Sequence, residues 1–176
     1  VKDLLPFVSD TPSPMGYTAA EVKKKNPDCV AVFIGPCIAK RKEAQTDENV
    51  DYVMTFEELG ALFAAMEIDV ASLDGIPLER EVEGYARGFA TSCGVTSAML
   101  KEAARTKGVD IISEDETKFI NGLDRKTVKQ LKLYANGKLP GKFLEVMACE
   151  GGCVGGPCTL GDVRLAAKAV QKLAEK

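Results

Sequence analysis

Short apolar runs alternate with amphipathic stretches along the chain. Residues 30–34 (VAVFI) are apolar and rich in β-branched side chains, which predicts a buried strand stopped by Gly35-Pro36. Thr55, with Glu58 three residues on, forms a capping-box signature, and Phe56, Leu59, Leu62, Phe63 and Met66 follow at helical spacing. Thr91-Ser92 predicts the cap of a helix running to about Arg105, with Gly108 just beyond its end. Asp124 predicts another, with Val128, Leu131 and Tyr134 on one face and Gly137 as its stop. Residues 143–148 predict a second buried strand, interrupted by the polar Glu145. Asp162 opens a last helix whose apolar stripe is Val163, Ala166, Ala167, Val170 and Leu173. Strands alternating with such helices predict an α/β fold, a three-layer α/β/α arrangement with a mainly parallel sheet. Loops leaving the carboxyl ends of strands form the ligand crevice of such sheets. Cys37 and Cys149 both follow a predicted strand.

Composition narrows the chemistry. The 176 residues suit a single domain spanning 1–176 and a substantial core. A net charge of -3 argues against a general nucleic-acid partner. No apolar run approaches the roughly 18 residues of a membrane span. No signal-peptide pattern opens the chain, so a cytoplasmic protein is expected, and a start at Val1 fits a fragment or a processed terminus. The chain has no histidine, which excludes a Ser-His-Asp triad, a Cys-His pair and an HExxH zinc site. Six cysteines remain for difficult chemistry. In a cytosolic chain they read as metal ligands or core residues rather than disulfides.

Two cysteine motifs stand out. The first is Pro36-Cys37-Ile38-Ala39-Lys40-Arg41-Lys42-Glu43. A thiolate held there on rigid backbone can ligate iron, with Lys40 and Arg41 lowering its pKa. A buried structural cysteine before a basic helical turn fits the same residues. The second runs from Glu145 through Met147, Cys149, Glu150-Gly151-Gly152-Cys153 and Val154-Gly155-Gly156 to Pro157-Cys158. Its glycines would let backbone N–H groups approach a bulky anion. Pro157-Cys158 replaces the Lys-Ser/Thr of a phosphate-binding loop, and the CxxxC spacing suits zinc poorly.

Together the motifs resemble the second and third cysteine signatures of the [FeFe] (iron-only) hydrogenase catalytic domain. PCxxKxxE is matched by Pro36, Cys37, Lys40 and Glu43; ExMxCxxGCxxGG is matched by Glu145, Met147, Cys149, Gly152, Cys153, Gly155 and Gly156. Leu4-Leu5-Pro6, Ser13-Pro14-Met15 and Gly88-Phe89-Ala90-Thr91-Ser92 also resemble family segments. The resemblance implies one lobe of that domain, holding a [4Fe–4S] cubane linked to a two-iron site (the H-cluster) for reversible H2 oxidation and proton reduction. By position Cys37, Cys149 and Cys153 would be metal ligands, with Cys153 bridging to the two-iron site. Lys40 would hydrogen-bond a cyanide, Met147 would pack beside a carbonyl, and Glu43 would belong to the proton path. Implied partners are the N-terminal part of the same domain, ferredoxin or accessory iron–sulfur domains, and hydrogenase maturation proteins.

The chain departs from the pattern in places. The first signature, TSCCP, does not occur in it. That signature would supply the fourth ligand and the proton-relay thiol, so the isolated fragment is expected to be inactive. Gly35 replaces a Met of the best-known hydrogenases, which favours an H2-sensing, regulatory relative. A non-catalytic iron–sulfur assembly relative is the other alternative, disfavoured by Lys40, Glu43 and Met147. Cys93 and Cys158 stand where the family more often has Gly, and family ligands are not expected there. Cys29 reads as a small core residue.

Overall fold

A computed structural model describes residues 2–77, 83–107 and 112–175. The chain is α/β, and its contacts divide it into two compact units. One is formed by Ser9–Pro77 with Pro157–Leu160, the other by the remaining described residues.

The first unit contains α1 (Pro14–Lys25), β1 (Val32–Gly35), α2 (Ala39–Ala44), β2 (Tyr52–Thr55) and α3 (Phe56–Ala65). Ser13 caps α1 with Pro14 at its first position, where a missing N–H does no harm. Met15, Ala19 and Val50 form the core, joined by Ala31, Phe33, Ala44 and Val53. β1 and β2 pair in parallel from Val32↔Tyr52 to Gly35↔Thr55. Their carboxyl ends therefore lie side by side, and the Cys37 turn starts beside the head of α3. The capping box at Thr55 is present: the Glu58 N–H donates to Thr55 Oγ1 and the Thr55 N–H donates to Glu58 Oε2 at 2.8 Å. Glu58 also receives Arg41 of α2 at 2.5 Å. The Thr55 N–H bond, with Arg41, holds the Glu58 carboxyl down at about 2.

The second unit contains α4 (Gly84–Arg87), α5 (Gly94–Lys107), β3 (Thr117–Asn121), α6 (Arg125–Ala135), β4 (Phe143–Met147) and α7 (Val163–Ala174). β3 and β4 are also parallel, from Thr117↔Phe143 to Asn121↔Met147. Asp124 and Asp162 cap α6 and α7 as expected, and Gly137 ends α6 with φ 65°. Of the α7 stripe, Ala166, Ala167 and Val170 are half-buried while Val163 and Leu173 stay exposed.

Among the described residues the expected sheet is present as two parallel pairs, one in each unit. The strands of residues 30–34 and 143–148 form at 32–35 and 143–147. β2 and β3 had no expectation, because each is short and carries little apolar alternation. The helix expected from Thr91-Ser92 begins at Gly94 and runs through Lys107; Gly108 lies outside the described residues. Its cap is not local. The Thr91 hydroxyl donates to the Gly88 carbonyl and the Ser92 hydroxyl to Asn121. The Gly94 N–H donates to the Thr91 carbonyl, while the Cys93 and Thr96 amides at the head of α5 donate to Glu145, from the strand β4.

The depressed Glu58 carboxyl sets a pH dependence. Its folded pKa lies below the unfolded one, so its contribution is present above about pH 4.5 and lost as pH falls toward 2. Glu58→Ala is expected to lower the thermal midpoint at neutral pH, with the difference from the native chain closing near pH 2 in parallel melts.

Candidate metal centre

The second cysteine motif leaves β4 at Met147 and becomes a tight loop at 148–156. The parallel register places Asn121, the last residue of β3, opposite Met147. From there the chain after β3 tracks the start of the loop: the Gly122 N–H donates to the Met147 carbonyl at 2.9 Å and the Leu123 N–H to the Ala148 carbonyl at 3.0 Å. Asn121 Oδ1 accepts from the Gly151 N–H at 2.7 Å and from the Ser92 hydroxyl at 2.6 Å. The Ser92 N–H donates back to the Gly151 carbonyl at 3.1 Å.

The glycines of the loop serve close packing. A Cβ on Gly152 would lie 2.8 Å from the Ser92 nitrogen, and one on Gly155 would lie 2.0 Å from the Glu150 carbonyl oxygen. Their amides face inward. The N–H groups of Gly152, Gly155 and Gly156 donate to the carbonyls of Cys149, Gly152 and Cys153. With Gly151 bound to Asn121, all four glycine amides have protein acceptors. The four glycine amides thus let the backbone fold onto itself rather than pointing outward.

Behind the loop lies Glu145, buried to 6% exposure. Its carboxylate accepts from the Cys93 N–H at 2.9 Å, the Thr96 N–H at 2.8 Å and the Thr96 hydroxyl at 2.6 Å. A carboxylate at a helix N-terminus satisfies amides that have no partner within the helix. This fixes the 91–94 turn against which Gly152 packs.

The first motif lies in the other unit. Cys37 is half-buried between β1 and α2. Lys40 and Glu43 face each other across one turn of α2 at 2.5 Å, and the Ser13 hydroxyl donates to the other Glu43 oxygen. Burial pushes the Glu43 carboxyl up, but the hydrogen bonds from Lys40 and Ser13, with the Lys40 charge, outweigh it and hold it below the usual range. Gly35 is buried, and a Cβ there would meet the Phe33 ring at 2.8 Å.

The iron-only hydrogenase family model, described as "Iron only hydrogenase large subunit, C-terminal domain", matches residues 1–157. The chain belongs to that family. The periplasmic [Fe] hydrogenase large subunit of Nitratidesulfovibrio vulgaris is 31% identical over a 197-residue alignment, covering 88% of this chain and 46% of the relative. The hydrogenase NADP-reducing subunit HndD of Solidesulfovibrio fructosivorans is 29% identical over 179 residues, covering 82% and 30%. The chain thus spans less than half the length of these relatives. A solved [FeFe]-hydrogenase structure, concerned with stepwise H-cluster assembly, shares the fold with a TM-score of 0.71 at 23% identity, covering 99% of this chain and 61% of that one.

Set within an iron-only hydrogenase domain, the six cysteines sort by surroundings. All are reduced thiols. Cys149 and Cys153 share the braced loop, Cys149 half-buried and Cys153 exposed, and Met147 precedes them on β4. Among the described residues no three Cys, Asp or Glu side chains converge as a metal cluster. The donor chemistry nonetheless fits an iron–sulfur group, because two thiols stand on one hydrogen-bonded loop and cysteine thiolates are the ligands such clusters take. Cys93 has φ 68°, a left-handed backbone that glycine adopts with less strain. Burial, then the Glu145 charge, pushes its thiol up. Cys158 is buried with its N–H on the Pro36 carbonyl at 3.2 Å, and burial followed by Glu57 pushes that thiol up too. Both environments favour the protonated thiol over the ligating thiolate. Cys29 is half-buried rather than in the core. No described helix is long and apolar enough to cross a membrane. One relative is named as periplasmic.

Glu145, Asn121 and Ser92 are the residues that sequence reasoning missed as parts of the site. Glu145 had been visible only as a motif letter and as an interruption of a strand. Removing it leaves two half-buried amides without acceptors. Glu145→Ala is expected to destabilise the fold by about 2–3 kcal/mol, read as a lower denaturant midpoint. Cys93→Gly, by relieving the left-handed backbone, is expected to raise stability by about 1 kcal/mol in the same assay.

Proposed function

We propose that this chain forms part of an [FeFe]-hydrogenase H-cluster site, with Cys37, Cys149 and Cys153 as ligands of a [4Fe–4S] cubane and Cys153 as the bridge to a two-iron site. The observation that carries this reading is the pair of thiols on the braced 148–156 loop of a chain that matches the family over residues 1–157. When bound, the H-cluster supplies the redox and Lewis-acid chemistry of reversible H2 cleavage. The protein's own residues hold and orient. Glu43 fixes the Lys40 ammonium, so that Lys40 can present a charged donor to an anionic cyanide. Glu43 itself stays ionised at neutral pH, so a proton path through it starts from the carboxylate. Met147 supplies an apolar wall at the end of β4.

The remainder of the catalytic domain would supply the fourth ligand and the proton-relay thiol, since the TSCCP signature does not occur in these 176 residues. Ferredoxin or accessory iron–sulfur domains would take the electrons, and maturation proteins would insert the two-iron site. By itself the chain is expected to be inactive toward H2. A sensory role, suggested by Gly35, loses weight because the Phe33 ring gives that glycine a local packing reason.

Two measurements test the reading. Co-expression with the rest of the domain and the maturation proteins should yield infrared CO and cyanide stretches; a cubane without them contradicts the proposal. Anaerobic reconstitution of this chain alone should give substoichiometric, labile iron that falls further in Cys149→Ser and Cys153→Ser. Iron content indifferent to both substitutions contradicts the assigned ligands.

A further inference from the structure

We infer that Asn121 is a positioning residue for the cysteine loop: through one side-chain oxygen it ties the Gly151 peptide to Ser92 and so fixes how Cys149 and Cys153 are presented. The inference deepens the ligand reading above and rests on it for its functional meaning. Its geometry stands independently.

The three residues close a ring. The Gly151 N–H and the Ser92 hydroxyl both donate to Asn121 Oδ1, at 2.7 and 2.6 Å, and the Ser92 N–H donates to the Gly151 carbonyl at 3.1 Å. Both the N–H and the carbonyl of Gly151 are thereby held, at the middle of the CxxxC spacing. One partner is anchored at the end of β3. The other belongs to the turn that Glu145 secures through the Cys93 and Thr96 amides. Gly151 has φ 86° and Gly152 has φ 88°, a backbone shape with little intrinsic preference to persist in a glycine pair. The ring supplies that preference from outside the loop.

The choice of an amide has a chemical reason. An amide oxygen accepts two hydrogen bonds without bringing charge to a loop that carries Glu150 and ligating thiolates. Aspartate would accept the same two bonds and add a negative charge. Geometry and charge can therefore be separated: Asn121→Ala removes the ring, Asn121→Asp keeps it. Ser92→Ala breaks a single arm. Asn121 is exposed, so these changes bear on the ring and leave the core in place.

The test is the alkylation of the metal-free full chain by iodoacetamide under anaerobic conditions, followed peptide by peptide. Rates are taken per thiolate from a pH profile, so that a changed thiol pKa does not count as a changed geometry. Cys37, in the other unit, is the internal standard. Asn121→Ala should raise the Cys149 rate relative to Cys37 by about tenfold, the size expected when hydrogen bonds restraining local opening are lost. Ser92→Ala should move it the same way by less. Asn121→Asp should stay within about twofold of the native chain, with its profile displaced to higher pH by the added charge. An unchanged ratio in Asn121→Ala, or an Asp variant that behaves like Ala, overturns the inference. Iron uptake is read separately. A native chain that takes up no iron overturns the ligand reading, while the alkylation ratios still decide the role of Asn121.

Discussion

The carboxylate of Glu145 sits inside its unit with 6% exposure, where an unpaired charge would cost on the order of several kcal/mol. It is stable there because α5 starts beside it. Two backbone amides and the Thr96 hydroxyl converge on its oxygens. The bond set joins a strand to a helix roughly fifty residues away and settles where the 91–94 turn lies. That turn in turn is a wall of the cysteine loop, since the Gly152 Cα rests against its backbone and Ser92 bonds to Gly151. A chain of contacts therefore runs from one buried charge to the thiols proposed as ligands.

The loop differs from a phosphate-type cradle in what its glycines do. Three of its glycine amides donate to loop carbonyls and the fourth, that of Gly151, to Asn121. What it offers outward is thiols. Cys153 is exposed and Cys149 half-buried, while Cys93 and Cys158 lie in surroundings that keep a thiol protonated. Burial and neighbouring carboxylates raise the pKa of those two thiols. In the other unit, Ser13 and Lys40 together keep the Glu43 carboxylate charged.

Much of this was legible in the sequence where the signal was local. The capping boxes at Thr55 and Asp124, the cap at Asp162 and the stop at Gly137 depend on residues within a few positions of one another, and each is present. The two cysteine motifs likewise led to the right family. What escaped was set by pairing at a distance. β2 and β3 are four and five residues long, and their strand character comes from partners across the pair. The cap of α5 looked local, at Thr91-Ser92, but the acceptor came from β4. Asn121 carried no signal beyond an Asn-Gly step, because its role arises only once the parallel register sets it opposite Met147. The glycines were read as essential to a tight loop, and their own amides turn out to be bonded within the protein.

The central claim is that the cysteine loop holds its shape before any metal arrives, because its amides are bonded within the protein. Hydrogen exchange on the metal-free chain, resolved at the amides of Gly151, Gly152, Gly155 and Gly156, addresses this most directly. The account predicts exchange well slower than in the unfolded chain at all four positions. Exchange at unfolded rates in the metal-free protein, with protection gained only after iron is added, would contradict it.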